Sequence, residues 1–215
     1  INTTTQKIPR LSLPDAILCD GPAYRDQLLD WGIPADRLGI GGSLRIQRIE
    51  GVAYDAKAPV FAALSAKRGI ARQQMRAIEA AAEEKGFDFL VKEHPMYPMN
   101  FRESARIRRT WDDLKALPSL SAVFYSTGTL GLEALLAGLP AFRLLPEDDI
   151  AVDIMPAMAS AVPITIDGLA KALSGVSRPP ALSWEDVLSP VDWPLWRKWL
   201  SPGDVGGAVD EDVSE

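Results

Sequence analysis

Cysteine is almost missing. Cys19 is the only one in 215 residues, which excludes an intrachain disulfide and any cysteine-based metal cluster. Histidine is just as scarce, His94 being alone, and the scattered acids form no metal-ligand spacing with it, so no metal is expected. No apolar run reaches the roughly 18 residues that a membrane span needs, so no transmembrane segment is expected. The opening residues Ile1-Asn2-Thr3-Thr4-Thr5 supply neither the basic start nor the apolar stretch of a signal peptide. No Gly-x-Gly-x-x-Gly or Walker-type sequence occurs, and Ser126 lacks the glycine context of a hydrolase nucleophile elbow. No basic stripe with interleaved aromatics is present, so nucleic acid is not an expected partner. The low cysteine content fits a cytoplasmic protein, with the inner face of the membrane as an alternative place.

The charge balance carries less information than its total. The net charge is -6, but Asp204, Asp210, Glu211, Asp212 and Glu215 accumulate in the last fifteen residues with no base among them. The rest of the chain is close to neutral. At 47% apolar and 24% charged residues, the composition is that of an ordinary globular protein with enough apolar surface for a sizeable core.

Short apolar runs alternate with helical segments, the pattern of an α/β protein with a mostly parallel sheet. Strands are expected at Ala16–Cys19, Leu38–Ile40, Val60–Leu64, Phe87–Val91, Ala105–Arg109, Ala122–Tyr125, Ala141–Leu145 and Val162–Ile166. Helices are expected at Ala23–Trp31, Ile70–Lys85, Asp112–Leu117, Leu130–Ala137 and Leu169–Leu173, with Gly32, Gly86 and Gly138 as stops. Residues 51–58 read as a loop. The domain expectation is a remnant of a preceding domain and its crossover at 1–50, and a Rossmann-like domain at 51–180. A tryptophan-rich segment packing back follows at 181–202, then a disordered acidic tail at 203–215.

In an open α/β sheet, ligands gather outside the carboxyl ends of the strands, where strand order reverses. Three loops should emerge there: Ser65–Gly69, Lys92–Pro98 and Ser126–Thr129. Ser126-Thr127-Gly128-Thr129 joins a strand to a helix, offering three hydroxyls, close backbone approach at Gly128 and a helix start suited to an anion. The competing reading is simple helix capping by Ser or Thr. His94 follows a buried strand, behind Lys92 and Glu93, and is fixed by Pro95; from there an imidazole can donate to a phosphate. A packed or surface histidine is the alternative. Glu133, one turn into the helix, is placed to accept from ribose hydroxyls, or else merely favours the helix dipole. Glu147-Asp148-Asp149 reads as a solvated loop rather than a divalent-ion site. The tryptophan segment Trp184–Leu200 reads as a C-terminal element folded back, in preference to a membrane-surface helix.

Two motifs carry a family resemblance. Lys92-Glu93-His94-Pro95 resembles the "HP" motif, and Ser126-Thr127 resembles the "S/T" motif, of GT-B glycosyltransferases of the bacterial sialyltransferase and Kdo-transferase type. The continuation Gly128-Thr129-Leu130-Gly131-Leu132-Glu133-Ala134-Leu135-Leu136-Ala137-Gly138-Leu139-Pro140 is similar to a run shared by many GT-B proteins. The resemblance implies the C-terminal, nucleotide-sugar-binding half of such an enzyme: a Rossmann-like parallel sheet with helices on both faces. His94, Ser126 and Thr127 would then hold the phosphate of a CMP-sugar in bacterial surface-polysaccharide synthesis. It further implies a glycan or lipid-linked acceptor, no separate cofactor, and an N-terminal half that supplies the acceptor-activating carboxylate; no catalytic base is assigned in this chain. The same motifs fit a CDP-polyol phosphotransferase or a nucleotide-sugar epimerase. From another class, a non-catalytic nucleotide-binding or interaction module remains open. The substrate-binding candidates are Lys92, His94, Pro95, Ser126, Thr127, Gly128, Thr129 and Glu133.

Overall fold

The computed structural model describes residues 13–200 except 47, 49, 50, 153 and 181. The opening residues and the acidic tail at 203–215 lie outside these. In chain order the first half holds β1 (Ile17–Cys19), α1 (Pro22–Asp30), β2 (Leu38–Ile40), β3 (Ala53–Tyr54), β4 (Val60–Ala63), α2 (Arg68–Lys85), β5 (Phe89–Lys92) and β6 (Ile107–Arg109). The second half holds β7 (Ser119–Leu120), β8 (Ala122–Tyr125), α3 (Leu130–Leu136), β9 (Ala141–Leu144), β10 (Val162–Ile164), α4 (Leu169–Ser174), α5 (Trp184–Val187) and α6 (Trp193–Leu200). Short 3-10 turns lie at Ala35–Arg37, Leu114–Ala116 and Ile166–Gly168. No helix among the described residues is long and apolar enough to cross a membrane.

Two compact units divide the chain. Unit 1 takes the residues up to Leu44 and those from Leu188 onward; unit 2 is Arg45–Val187. In unit 1, β1 and β2 pair in parallel with Ile17 opposite Leu38, joined through α1, whose Pro22 stands in its first turn where no donor is lost. The helix α6 belongs to the same unit. Its Trp196 Nε1 donates to Gly41 O at 2.9 Å, and Asp192 Oδ1 accepts from Leu195 N at 2.9 Å, capping the helix. Gly42 sits at φ 79°, and a Cβ there would lie 2.0 Å from Pro190 O. Only glycine lets the 188–192 strand of chain pass so close to the turn after β2.

Unit 2 is built on a six-stranded, all-parallel sheet in the order β10-β9-β8-β4-β5-β6. The chain runs outward from β4 through β5 to β6, returns to β8 on the other side of β4, and continues outward to β9 and β10. Crossovers in opposite directions put α2 on one face and α3 on the other. This is a Rossmann-like sheet with helices on both faces, and its order reverses between β4 and β8.

Alternation along the strands fills both layers. Val60 and Ala62 of β4, Phe89 and Val91 of β5 and Phe124 of β8 pack with Ile70, Met75, Ile78 and Ala81 of α2 and Leu169 and Leu173 of α4. The apolar stripe of α2 recurs at helical spacing, and Gly86, at φ 73°, ends it with its N–H on Ala82 O at 3.2 Å. On the opposite face, Tyr125 is buried beneath α3. A Cβ on Gly131 would fall 2.1 Å from the Tyr125 ring, so the helix sits down on the strand only because residue 131 has no side chain. Pro163 is accommodated because β10 is an edge strand, paired with β9 alone.

Three local differences from the sequence expectation have physical causes. Residues 51–58 contain β3, which pairs in parallel with β7; two-residue strands are too short to show periodicity. The expected helix at Asp112–Leu117 is a single 3-10 turn, hemmed in by Pro118. Trp184–Leu200 forms two helices, α5 in unit 2 and α6 in unit 1.

Candidate functional site

The carboxyl ends of β4 and β8 meet at the reversal of strand order, and hydroxyls from both converge there. Ser65 Oγ and Thr127 Oγ1 lie 3.3 Å apart, although 62 residues separate them in sequence. The turn after β4 is held rigidly from below. Gln74 of α2 is fully buried; its Oε1 accepts from Ser65 N at 2.8 Å and its Nε2 donates to Ala63 O at 2.9 Å. Ser65 Oγ in turn accepts from Lys67 N at 3.2 Å. Gln74→Leu removes both side-chain bonds and leaves the buried N–H and C=O groups without them. Urea unfolding should show a loss of about 2–3 kcal/mol for this variant, whereas a change under about 0.5 kcal/mol would mean the turn holds itself.

Beside this junction is a cavity of ≈ 420 Å³, and unit 2 supplies its whole lining. Phe61 and Ala63 of β4 and Leu114 and Leu130 give it apolar walls, and Arg45, Arg48, Lys92 and Lys115 set four cations against the carboxylates of Asp113 and Glu133. Two of the cations are already paired. Lys92 Nζ bonds Asp113 Oδ1, which holds the Asp113 carboxyl below the usual carboxylate range, first through that hydrogen bond and then through the charge of Lys92. Arg48 bonds Glu185 Oε1, and its guanidinium also lies 5.8 Å from the centre of the Trp184 ring.

The expected site residues divide between these places. Lys92 and Glu133, far apart in sequence, line the same cavity. Thr129 Oγ1 donates to Glu133 Oε1 at 2.6 Å instead of capping α3, so the hydroxyl fixes the carboxylate at the cavity. Gly128 is exposed at φ 101°, a conformation that favours glycine. Thr127 is half-buried against Ser65. Ser126 is buried, its Oγ donates to Leu144 O at 3.1 Å and its own carbonyl accepts from Arg143 Nε at 3.2 Å. Its side chain therefore joins the start of the turn to β9.

His94 is half-buried and outside the cavity lining, with its ring 5.5 Å from that of Tyr97. Its Nδ1 is buried without a hydrogen-bond partner, an arrangement that costs free energy unless a ligand or water completes it. Pro95 is exposed. Glu93, between Lys92 and His94, is the anchor of this loop. It is 4% exposed, and its Oε1 accepts from Met99 N and Asn100 N at 2.9 and 2.7 Å. Its Oε2 meets Arg109 Nε at 3.0 Å.

Sequence reasoning did not single out Arg45, Arg48, Asp113 or Lys115. The basic pair Arg45/Arg48 directly after Gly41-Gly42-Ser43 was the available signal. The acidic run Glu147-Asp148-Asp149 is tied to α2. Lys67 Nζ bonds Asp149 at 2.9 Å and lowers its pKa, while Gln73 Oε1 accepts from Glu147 N at 2.8 Å and Gln73 Nε2 donates to Glu147 O at 3.0 Å. No group of three or more metal-ligating side chains occurs among the described residues.

No family model matches this sequence, and no curated protein matches it either. Among solved structures the chain is similar to the glycosyltransferase SnogD from Streptomyces nogalater, at 19% identity and a TM-score of 0.44, with 72% of this chain and 45% of that one covered. The chain thus spans less than half the length of the structure it matches.

Proposed function

We propose that the chain is the nucleotide-sugar-binding half of a GT-B glycosyltransferase, and that its donor is a CMP-activated sugar. The observation that carries this reading is the meeting of the Ser65 and Thr127 hydroxyls at the reversal of strand order, beside a cavity that joins Lys92 and Glu133. The Lys92–Pro95 and Ser126–Thr127 motifs and their family resemblance support it. In this reading the hydroxyls donate to the donor phosphate, Glu133 accepts from the ribose, and His94 completes the phosphate site with its ring. When the glycosidic C–O bond breaks, its electron pair leaves on the phosphate oxygen. Fixed cations and donors lower the energy of that charge most where water is excluded. The acceptor, glycan or lipid-linked, and the carboxylate that activates it belong to an N-terminal half. Surface-polysaccharide synthesis in the cytoplasm is the setting that the motifs support.

Calorimetry with CMP, CDP and UDP tests the assignment. CMP is expected to bind at least about tenfold more tightly than UDP, since a site that hydrogen-bonds one base leaves groups unpaired with the other. His94→Ala is expected to weaken CMP about tenfold, the loss of one bond to a charged group. Preference for CDP would move the reading to a CDP-polyol phosphotransferase. Equal or absent binding of all three would reject it.

A further inference from the structure

The outer face of α2 carries a charge pattern that the helix by itself does not favour. Arg68, Arg72, Arg76, Glu79 and Glu83 are all exposed. At 3.6 residues per turn they fall within about 80° of the circumference, opposite the buried Ile70, Ala77 and Ala81. The three bases occupy the first half of this stripe and the two acids the second. A helix start attracts negative charge and a helix end positive charge, so the order runs against the helix dipole. No acid lies in the first turn, and Lys85 is the base in the last. Like charges also recur four residues apart, at Arg68, Arg72 and Arg76 and again at Glu79 and Glu83, and such neighbours repel. Among the described residues none of the five joins an ion pair.

We infer that this stripe is a self-complementary interface, on which α2 of a second copy of the chain docks antiparallel. A two-fold axis crossing α2 between Arg76 and Glu79 sets Arg76 against the partner's Glu79 and Arg72 against the partner's Glu83. One axis serves both pairs, because the bases and the acids share the same four-residue spacing, about 6 Å along the helix. Each contact occurs twice in a two-fold dimer, so four ion pairs form where the single helix has none. A partner of one charge sign would match only half of the stripe. The surface beside the stripe is hollowed. Met75 and Met99 line one hollow next to Arg72 and Arg76, and Arg102 lines a second next to Glu79 and Glu83, which leaves room for the partner's side chains. Neither hollow shares a residue with the cavity at the strand ends, and the inference does not rest on the proposed function. Exposed ion pairs are individually weak and screened by salt, so the dimer is one that low ionic strength favours.

Sedimentation equilibrium of the full chain tests this. A dimer should form at low salt, and its association constant should fall at least about tenfold in about 0.5 M salt. Arg72→Glu with Arg76→Glu makes the face acidic below its first turn, and Glu79→Arg with Glu83→Arg makes it basic throughout. Each double variant alone should associate at least about tenfold more weakly than the original chain, since like charges then meet across the axis. An equimolar mixture of the two should recover association to within about threefold of the original, because four opposite pairs are again in register. Neither variant should lose its fold, because each moves charge in the direction that the helix dipole favours. Thermal midpoints at or above that of the original chain check this. Arg72→Ala with Arg76→Ala removes the charge without reversing it and should weaken the dimer about fivefold. A chain that stays monomeric at low salt, a dimer that either reversal leaves intact, or a mixture that does not recover it overturns the inference.

Discussion

Replacing Glu93 with alanine should destabilise unit 2 by about 3 kcal/mol, one of the two largest effects expected of a single substitution near the site. The carboxylate is nearly inaccessible and does three things at once: it satisfies the backbone N–H groups of Met99 and Asn100 and pairs with Arg109. Alanine leaves two N–H groups without an acceptor and a partly buried guanidinium without its anion. Glu93→Gln is the informative companion. It keeps Oε1 for the two N–H groups but turns an amide toward Arg109, so about 1.5–2 kcal/mol should be lost instead. Urea unfolding measures both. Hydrogen exchange at Met99 and Asn100 should accelerate in the alanine variant and stay protected in the glutamine one. If the two variants are equally stable, the bonds from Met99 N and Asn100 N are not what holds the loop. His94 rides on this loop, so if the proposed function holds, CMP binding should weaken in step with its loosening.

Gly131→Ala carries the second large effect, and its sign reverses the usual one. Alanine inside a helix is normally favoured over glycine by about 1 kcal/mol. Here the new Cβ would lie 2.1 Å from the Tyr125 ring, and that ring is buried on all sides. Either α3 lifts from β8 or the ring is forced from its rotamer, at about 3 kcal/mol. Thermal unfolding should register the loss. Because α3 carries Glu133, and Thr129 just precedes it, ligand binding should fall with it. Combining Gly131→Ala with Tyr125→Leu shortens the opposing side chain and should recover about half of the stability lost. Independent, additive effects of the two substitutions would mean the clash is not the cause.

The middle of the sheet was legible in the sequence because its strands are short, largely apolar runs. Val60–Ala63, Phe89–Lys92 and Ala122–Tyr125 fall within a residue or two of the expected bounds. β3 and β7 were not, since a two-residue pairing is decided by what lies beside it. Of the site, the strand-end position of Lys92 and Thr127 followed from their place after apolar runs. The direction of each side chain did not. Ser126 and Thr127 are neighbours, yet one is turned into the fold toward Leu144 and the other outward to Ser65. Arg45, Arg48 and Lys115 were hidden for a different reason. Their segments have no periodicity, and a cavity wall is a property of tertiary packing.

The division of the chain also fixes an order of events. Unit 1 is assembled from two pieces of sequence, with all of unit 2 between them. During synthesis β1, α1 and β2 emerge before unit 2, but the segment that packs on Gly41 and Gly42 emerges after it. In an unfolded chain, joining pieces so far apart carries a large loop-closure entropy. Folding of unit 2 lowers that cost beforehand, since Arg48 near its start and Glu185 near its end are then neighbours. A ribosome-bound chain stopped before Leu188 should already protect the six-stranded sheet, while β1 and β2 still wait for α6.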